Sequence, residues 1–195
     1  MAQNAGEDLH HHNINVLVGP AVPLGQTGNY LGTAPFVGVG YGYRFNRLFQ
    51  ADAGFQMAFG AANNQGAVLT DLGTVQGGDH EFMIPLGGRI IIPQPLKRLE
   101  FSAGGGLAYL HYSETAPSDP YYGSSNCYTC TSRGGWGGYG LGSANFFLDS
   151  NHNFRVGATL QYISGKTNGD ALANIPATKT TDHWMNLAFE FGLSF

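Results

Sequence analysis

The sequence predicts an all-β fold, a transmembrane antiparallel up-and-down β-barrel of about eight strands. Apolar residues alternate with small or polar residues through eight segments, which is the pattern of strands with two unlike faces. Only 11% of the 195 residues are charged, against about 25% in soluble domains. The connections between the predicted strands are alternately long and short. Together these observations favour a barrel that turns its apolar face toward lipid.

The first four predicted strands cover residues 13–22, 32–45, 48–60 and 79–92. Each has apolar side chains at every second position and small or polar side chains between them. The apolar rows are Ile14, Val16 and Val18; Val37, Val39, Tyr41, Tyr43 and Phe45; Phe49, Phe55, Met57 and Phe59; and Phe82, Ile84, Leu86, Ile90 and Ile92. Each segment has the roughly ten residues that a tilted strand needs to cross the apolar layer.

The last four predicted strands cover residues 99–112, 134–149, 154–163 and 184–195. The sixth is so rich in glycine that its facing is ambiguous, because Tyr139 and Phe147 share one parity and Phe146 has the other. We expect a β-bulge to reconcile the two parities. The other three strands alternate regularly, and the last does so up to Phe195.

The predicted connections are of two kinds. Long loops occupy 23–31, 61–78, 113–132 and 164–181, and tight turns occupy 46–47, 93–98 and 150–153. Outer-membrane barrels place short turns in the periplasm and long loops outside the cell. An even number of strands then puts both termini on the periplasmic side. No run of about 18 apolar residues occurs, so a transmembrane helix is excluded.

The alternative is a soluble barrel, in which the apolar rows would line a central cavity. The opposite rows are then the outer surface, but they consist of glycine, serine, threonine and glutamine with few charges. Such rows suit a lumen better, since eight strands leave an interior just wide enough to be filled by side chains. Aromatic residues at strand ends, among them Tyr109, Tyr112, Trp136, Phe147 and Trp184, are expected to form two girdles at the membrane interfaces.

Charged residues on the inward rows are expected to pair across the lumen, because an isolated buried charge costs several kcal/mol. The expected network contains three arginines and four acids: Arg44, Asp52, Glu81, Arg89, Glu100, Arg155 and Glu190. Such a network would plug the barrel. The alternative is a narrow gated path for ions, whereas an open porin channel would need more strands.

The polar segment 1–12 is expected to be a flexible periplasmic arm, followed by the barrel over 13–195. Its start shows no secretory leader, so we expect a mature chain to which a methionine was added. The consecutive histidines His10, His11 and His12 could bind a transition metal, but a solvated arm is the expectation. No metal or cofactor site is predicted, and the net charge of -4 argues against a nucleic-acid partner.

Cys127 and Cys130 lie in a loop rich in Gly, Ser and Tyr. They lack the following histidine of a haem-attachment motif and the second pair of a zinc site. In an oxidising exterior we expect a local disulfide, and two free thiols are the alternative. The Tyr, Gly, Ser and Asn residues of the long loops suit an adaptable contact surface, although the loops could equally be soluble caps.

The strand rhythm and the closing strand that ends in Phe195 resemble the small OmpA/OmpX-type and opacity-type outer-membrane barrels. The resemblance extends from about Asn13 to Phe195. It implies residence in the bacterial outer membrane, contact with its lipid and lipopolysaccharide, and insertion by the outer-membrane assembly machinery. That machinery would recognise the closing row Leu187, Phe189, Phe191, Leu193 and Phe195. The implied role is structural, adhesive or surface-interacting, with an extracellular or envelope protein partner contacted through the loops.

Some small outer-membrane barrels are lipid A acyl hydrolases or acyltransferases that use His, Ser and an acid near the membrane. The candidates here are His111 with Ser113 and Glu114, and Asp182 with His183. Both histidines fall near the outer rim, but strands five and eight of an eight-stranded meander are not neighbours. No nucleophile–base pair is assembled by this arrangement, so a non-enzymatic barrel is the prediction.

Overall fold

The computed structural model describes residues 10–29, 31–61, 68–70, 73–75, 78–92, 98–115, 132–169 and 179–195. Within these ranges, eight long strands close into one antiparallel barrel and two short strands form a separate hairpin. The predicted fold class, a transmembrane antiparallel up-and-down barrel of about eight strands, is confirmed. The described ranges contain no helix with the length and apolar character needed to cross a membrane.

The strands are numbered β1 to β10 in chain order. Their bounds are β1 His12–Pro23, β2 Ala34–Arg44, β3 Phe49–Phe59, β4 Val68–Thr70, β5 Gly73–Val75, β6 Gly78–Ile92, β7 Leu99–Thr115, β8 Ser132–Phe147, β9 Phe154–Gly169 and β10 Lys179–Ser194. A 3-10 turn covers Thr27–Asn29 between β1 and β2. Strands β4 and β5 pair only with each other, and each barrel strand pairs with its neighbours in the chain. This small hairpin was not predicted, because it falls in a stretch with no apolar alternation.

The barrel is closed by pairing between its first and last strands. The register of β1 and β10 runs from Asn13 opposite Ser194 to Pro23 opposite Trp184. The backbones of His12 and Phe195 exchange two hydrogen bonds of 2.9 Å, so even the last residue of the chain takes part. Closure leaves no sheet edge exposed, which is what a sheet in hydrocarbon requires.

The predicted bulge in the glycine-rich strand is absent from its described pairs. Strand β8 keeps one register with β7 from Phe146 opposite Leu99 to Ser132 opposite Ser113. Tyr139 and Phe147 both face inward and Phe146 faces outward, in regular alternation. The bulge prediction was wrong because outward-facing glycines at 138, 140 and 142 removed the apolar signal from the lipid side of this strand.

Several strands extend beyond their predicted limits at the end that bears the long loops. Strand β7 continues to Thr115, β9 continues to Gly169 and β10 begins at Lys179, so the loops predicted over 113–132 and 164–181 are partly strand. These extensions are polar on both faces and give no alternation to detect. As a result β7–β10 have 16 or 17 residues and β1–β3 have 11 or 12, so the wall is uneven in height.

An apolar belt surrounds the outside of the barrel. The predicted outward rows are exposed, as shown by Val39 at 53%, Leu107 at 63% and Phe189 at 69% exposure. The intervening residues face the interior. The predicted facing, with apolar side chains outside and small or polar ones inside, therefore holds for the middle of the barrel.

The girdle prediction was wrong for three aromatic residues. Tyr112, Phe147 and Trp184 have exposures of 2%, 6% and 0% and lie inside the barrel. Each is near a strand end but has the inward parity. The prediction used only the position along the strand and so placed these side chains on the outer surface. Trp136 and Tyr162 do face outward, at 59% and 45% exposure.

Short polar side chains fix two tight turns at the opposite end. Asn46 Oδ1 accepts hydrogen bonds from the backbone N–H groups of Leu48 and Phe49 at 2.8 and 2.9 Å. Asp149 accepts from the backbone N–H groups of Phe154 and Asn153 at 2.9 and 3.1 Å. The bond from Phe154 is the largest cause that lowers the pKa of Asp149 below its usual value. Both are turns in which a side chain replaces a backbone acceptor.

The outward belt predicts a position-dependent cost for a charged side chain. Leu160 faces outward in the middle of β9, with 51% exposure. Leu160→Arg should lower the free energy of unfolding in lipid vesicles by about 2–4 kcal/mol, because a cation near the bilayer centre is poorly solvated. Equilibrium urea unfolding followed by tryptophan fluorescence measures this change.

The matched control is Lys166→Arg, an exposed position on the same face of β9 nearer the long-loop end. This control should leave the free energy of unfolding within about 0.5 kcal/mol of the wild-type value. Equal stability of the two variants would contradict a lipid-facing belt.

Candidate functional site: the lumen and its mouth

Three ion pairs lie in the half of the lumen nearest the short turns; one joins β2 to β7 across the lumen, and the other two join the neighbouring strands β3 and β6 and β9 and β10. Arg44 Nη2 lies 2.7 Å from Glu100 Oε2 and Arg89 Nε lies 2.7 Å from Asp52 Oδ2. Arg155 Nε lies 3.2 Å from Glu190 Oε1. The structure thus brings together all the residues of the expected network except Glu81.

Arg155 joins the two strands that close the barrel. Its Nη1 donates to Asn13 Oδ1 at 2.8 Å and to Ser194 Oγ at 3.2 Å, while its Nε donates to Glu190. Thr159 Oγ1 donates to the other Glu190 oxygen at 2.6 Å. Glycine makes the space for this side chain, since a Cβ at Gly192 would lie 2.5 Å from Arg155 Nε. One guanidinium from β9 therefore bonds to both β1 and β10.

Amide side chains connect this cluster to the Arg89–Asp52 pair. Asn13 Nδ2 donates to Gln50 Oε1 at 3.2 Å, and Gln50 Nε2 donates to Asp52 Oδ1 at 2.7 Å. A continuous set of bonds therefore crosses the lumen from β6 through β3 and β1 to β9. Beside Arg89 is a cavity of about 40 Å³, which has room for ordered water.

An apolar layer fills the other half of the lumen. Its side chains are fully or almost fully buried: Leu17, Phe36, Met83, Leu110, Ile163 and Trp184. The amide of Asn186 approaches Met83 Sδ at 3.5 Å from the opposite wall, so side chains meet across the axis. The sequence analysis missed this layer. Its signal was present, because Phe36, Leu110 and Ile163 have the inward parity in the upper parts of their strands.

A further ion pair lies above the apolar layer, near the long loops. The Arg133 guanidinium contacts Asp182 through Nε and Nη2, both at 3.3 Å, and its Cζ lies 4.3 Å from the centre of the Tyr112 ring. Thr167 Oγ1 donates to Asp182 Oδ2 at 2.6 Å. The sequence analysis missed Arg133, which lies just outside the predicted strand 134–149, and considered Asp182 only for catalysis.

This pair forms part of the lining of a cavity of about 350 Å³ at the mouth of the barrel. The cavity is lined by polar and charged residues with one leucine: Gln26, Thr27, Asn29, Leu31, Tyr112, Arg133, Lys179, Thr180, Thr181 and Asp182. Thr27 fixes one wall, because its Oγ1 accepts from the backbone N–H of His183 at 3.1 Å. The backbone N–H of Leu24 donates to the His183 carbonyl at 2.8 Å, so the turn after β1 is held against β10.

Glu81 differs from the other expected lumen charges. It is 1% exposed, and neither carboxylate oxygen has a hydrogen-bond partner among the described residues. In the sheet register it lies opposite Tyr112, which in turn lies opposite Arg133. Glu81 is therefore a buried carboxyl group below the mouth whose burial is not offset by a hydrogen bond.

The candidate catalytic residues are not brought together. His111 is on β7 and His183 is on β10, and strands β8 and β9 lie between them. His183 Nδ1 lies 2.9 Å from the Tyr162 hydroxyl, and the His111 ring stacks with Tyr109 at 6.5 Å. Ser113 is half-buried opposite Ser132 on β8, and the side chain of Glu114 lies outside the described residues.

The N-terminal histidines contact the rim at the short-turn end. His12 begins β1, and its Nδ1 lies 2.7 Å from the Tyr41 hydroxyl while its ring stacks on Phe195 at 5.5 Å. His11 Nδ1 lies 2.7 Å from the Arg44 carbonyl, and His10 Nε2 lies 2.8 Å from the carbonyl of residue 151. These three histidines were expected to belong to a flexible arm.

Metal and cysteine sites can be considered only within the described ranges. No group of three or more His, Cys, Asp or Glu side chains in those ranges could hold a metal ion. Cys127 and Cys130 lie outside the described residues, and so does the N-terminal segment 1–9. The closing row of β10 faces outward, with Leu187 at 52% and Phe195 at 55% exposure.

Solved structures with a similar fold are small outer-membrane barrels. Neisserial surface protein A is 11% identical over 94% of this chain and 97% of that chain, with a TM-score of 0.55. The outer membrane protein AlkL is 15% identical over 100% of this chain and 94% of that chain, with a TM-score of 0.56. Ail, the attachment invasion locus protein of Yersinia pestis, in complex with the heparin analogue sucrose octasulfate, is 12% identical over 95% of this chain and 100% of that chain, with a TM-score of 0.51.

Neither a protein-family model nor a curated protein sequence matches this chain. At such low identities the likeness to the solved structures shows the fold alone. The chain has the fold of the small outer-membrane β-barrels.

Two buried glutamates provide a matched test of the lumen. Glu190 and Glu81 are each 1% exposed, but Glu190 bonds to Arg155 and Thr159 whereas Glu81 has no hydrogen-bond partner among the described residues. Glu190→Gln should lower the free energy of unfolding by about 3 kcal/mol, because it leaves a buried guanidinium without its counter-charge. Glu81→Gln should change it by much less, because no hydrogen bond to a described residue is lost.

Urea unfolding of both variants in the same lipid vesicles measures the difference. Equal losses of stability in the two variants would contradict these assignments of bonded and unbonded carboxylates.

Proposed function

We propose that this chain is an integral barrel of the bacterial outer membrane that does not conduct and that presents its long loops to a partner outside the cell. The short turns and both chain termini lie in the periplasm in this proposal. The barrel contacts outer-membrane lipid and lipopolysaccharide through its belt. The assembly machinery recognises the outward row of β10 that ends in Phe195.

The observation that supports a closed barrel is the filling of the lumen. Bonds run without interruption from Arg89 through Asp52, Gln50 and Asn13 to Arg155. Above them, the amide of Asn186 meets Met83 Sδ across the axis, within a cluster of buried apolar side chains. An eight-stranded barrel has an interior just wide enough for its own side chains. Here the hydrogen-bonded network and the apolar layer fill that interior.

A role at the cell surface is supported by the built mouth of the barrel. Loops on a rigid scaffold are where binding usually occurs, and the mouth has a walled polar cavity. Among proteins of similar fold, Ail is an attachment protein and was solved with a heparin analogue. Adhesion or another surface interaction is therefore the role that we favour over a purely structural one.

A narrow channel is the second candidate. It is supported by the cavity of about 40 Å³ beside Arg89 and the cavity of about 350 Å³ at the mouth, which would have to connect through the apolar layer. A catalytic role finds no such support, since His111 and His183 lie on strands that are not neighbours. We therefore propose a barrel that is not an enzyme and uses no cofactor.

Planar-bilayer recording separates the first two candidates. The wild-type barrel should show no discrete openings under applied voltage, because ion pairs and apolar side chains fill its lumen. Openings in the wild-type barrel that change in size on Arg89→Gln would overturn the closed-barrel proposal. The matched control is Arg47→Gln, which removes the same charge from an exposed turn outside the lumen.

Cysteine labelling of whole cells tests the orientation. In a Cys127→Ser, Cys130→Ser background, a cysteine replacing Gln26 near the mouth should react with a membrane-impermeant maleimide on intact cells. A cysteine replacing Asn151, in a short turn at the other end, should react only after the outer membrane is permeabilised. Both positions are exposed on the barrel, so the reverse pattern would show that the proposed orientation is wrong.

A further inference from the structure

We propose that the cavity at the mouth of the barrel binds a small acidic saccharide, meaning one or two sugar units that carry a carboxylate, sulfate or phosphate group. This inference rests on the proposed surface-interaction function. The cavity has a volume of about 350 Å³, which falls within the range of about 300–1,000 Å³ that is usual for small-molecule sites.

The cations that line the cavity have donors to spare. A guanidinium has five N–H donors, and Arg133 uses Nε and Nη2 on Asp182. The remaining N–H groups belong to a side chain that is 19% exposed and lines the cavity. Lys179, an exposed residue at the start of β10, is the other cation among the described lining residues. Two cations at one wall favour an anionic group on the ligand.

Among the described lining residues the one acid, Asp182, already accepts hydrogen bonds from the protein itself. Asp182 accepts from Thr167 at 2.6 Å and from Thr27 and Thr180 at 3.4 and 3.3 Å, besides its pair with Arg133. It therefore holds Arg133 in place and has little capacity left for a ligand. Glu81 lies below the mouth and is not among the described lining residues.

The rest of the lining suits hydroxyl groups. Gln26 and Asn29 offer amides, and Thr180 and Thr181 offer hydroxyls, each of which can both donate and accept. A sugar presents donors and acceptors on every side, whereas a simple anion such as phosphate would leave these groups unused. The combination of cations at one wall and neutral donor–acceptor groups around it therefore points to a sugar that carries an acid.

Contacts within the protein itself hold the walls of the cavity in place without a ligand. The Arg133 guanidinium is fixed between the Tyr112 ring at 4.3 Å and Asp182. Thr27 and Leu24 bond the turn after β1 to the backbone of β10. A wall that needs no ordering on binding loses less entropy, which favours measurable affinity for a small ligand.

The test is isothermal titration calorimetry of the full-length barrel in a non-ionic detergent, with four probes: glucuronic acid, glucose 1-phosphate, glucose and inorganic phosphate. Glucuronic acid and glucose 1-phosphate should bind with saturation, and their relative affinities separate a carboxylate-bearing ligand from a phosphate-bearing one. Glucose and phosphate should each bind about tenfold more weakly or not at all, since each lacks half of the recognised groups. Phosphate binding as tight as that of glucose 1-phosphate would overturn the saccharide part of the proposal.

Variants place the binding in the cavity. Lys179→Gln should weaken the binding of both acidic sugars by about five- to tenfold, because it removes one charged donor. Lys166→Gln, which removes an equal charge from the outward face of β9, should leave the affinity unchanged. Equal effects of the two variants, or no saturable binding to the wild-type barrel, would overturn the proposal.

Arg133→Lys is a second variant that keeps the charge opposite Asp182 but removes the spare guanidinium donors. It should weaken acidic-sugar binding while the barrel stays folded, as judged by heat-dependent gel mobility. If Arg133→Lys does not fold, Lys179→Gln alone still decides the outcome. The measurement in detergent does not depend on membrane orientation or conductance, so failure here is distinguishable from failure of the proposed function.

Discussion

The fold depends on the hydrogen bonds between the first and last strands. In hydrocarbon an unpaired backbone N–H or C=O costs several kcal/mol, so a sheet in lipid is stable only when no edge remains. The pairing of β1 with β10 removes the edge over most of their length. Arg155 reinforces the same seam from inside, because it bonds to residues of both strands. Backbone closure and the lumen network therefore stabilise one another.

Two kinds of side chain fill the interior of the barrel. Near the short turns it is filled by charged and amide side chains, whose burial is offset by mutual bonds at 2.6–3.2 Å. Nearer the long loops it is filled by apolar side chains such as Phe36 and Trp184. The polar half specifies which residues must meet, since most of its ion pairs and amides have a defined partner, whereas Arg44 Nε has none among the described residues. The apolar half excludes water without requiring defined pairs of donors and acceptors. It lies between the hydrogen-bonded network and the mouth.

Much of this architecture could be predicted from parity. Alternation alone identified the lipid-facing rows, and it placed Arg155 and Glu190 on inward rows. It could not say which charges meet, because partners across a lumen depend on strand tilt and stagger, which the sequence does not display. Arg44 on β2 pairs with Glu100 on β7, a relation that no spacing in the sequence reveals. Glu81 has the same parity as the paired acids and still has no partner.

The mouth was harder to predict for a different reason. Its walls include the polar ends of β8 and β10, where the pairing comes from neighbouring strands and not from an apolar face. Arg133 and Lys179 lie in these extensions. A search for alternating apolar residues therefore does not assign them to strands. Strands that rise beyond the membrane surface lose the signal by which the rest of the barrel is recognised.

The uneven wall has a consequence for access to the mouth. Strands β7–β10 are about five residues longer than β1–β3, a difference of about 17 Å at the usual rise per residue. The barrel strands therefore extend less far on the side of β1–β3 than on the side of β7–β10. A ligand in the mouth cavity therefore meets a wall of paired backbone on the side of Arg133 and Lys179, where the longer strands continue.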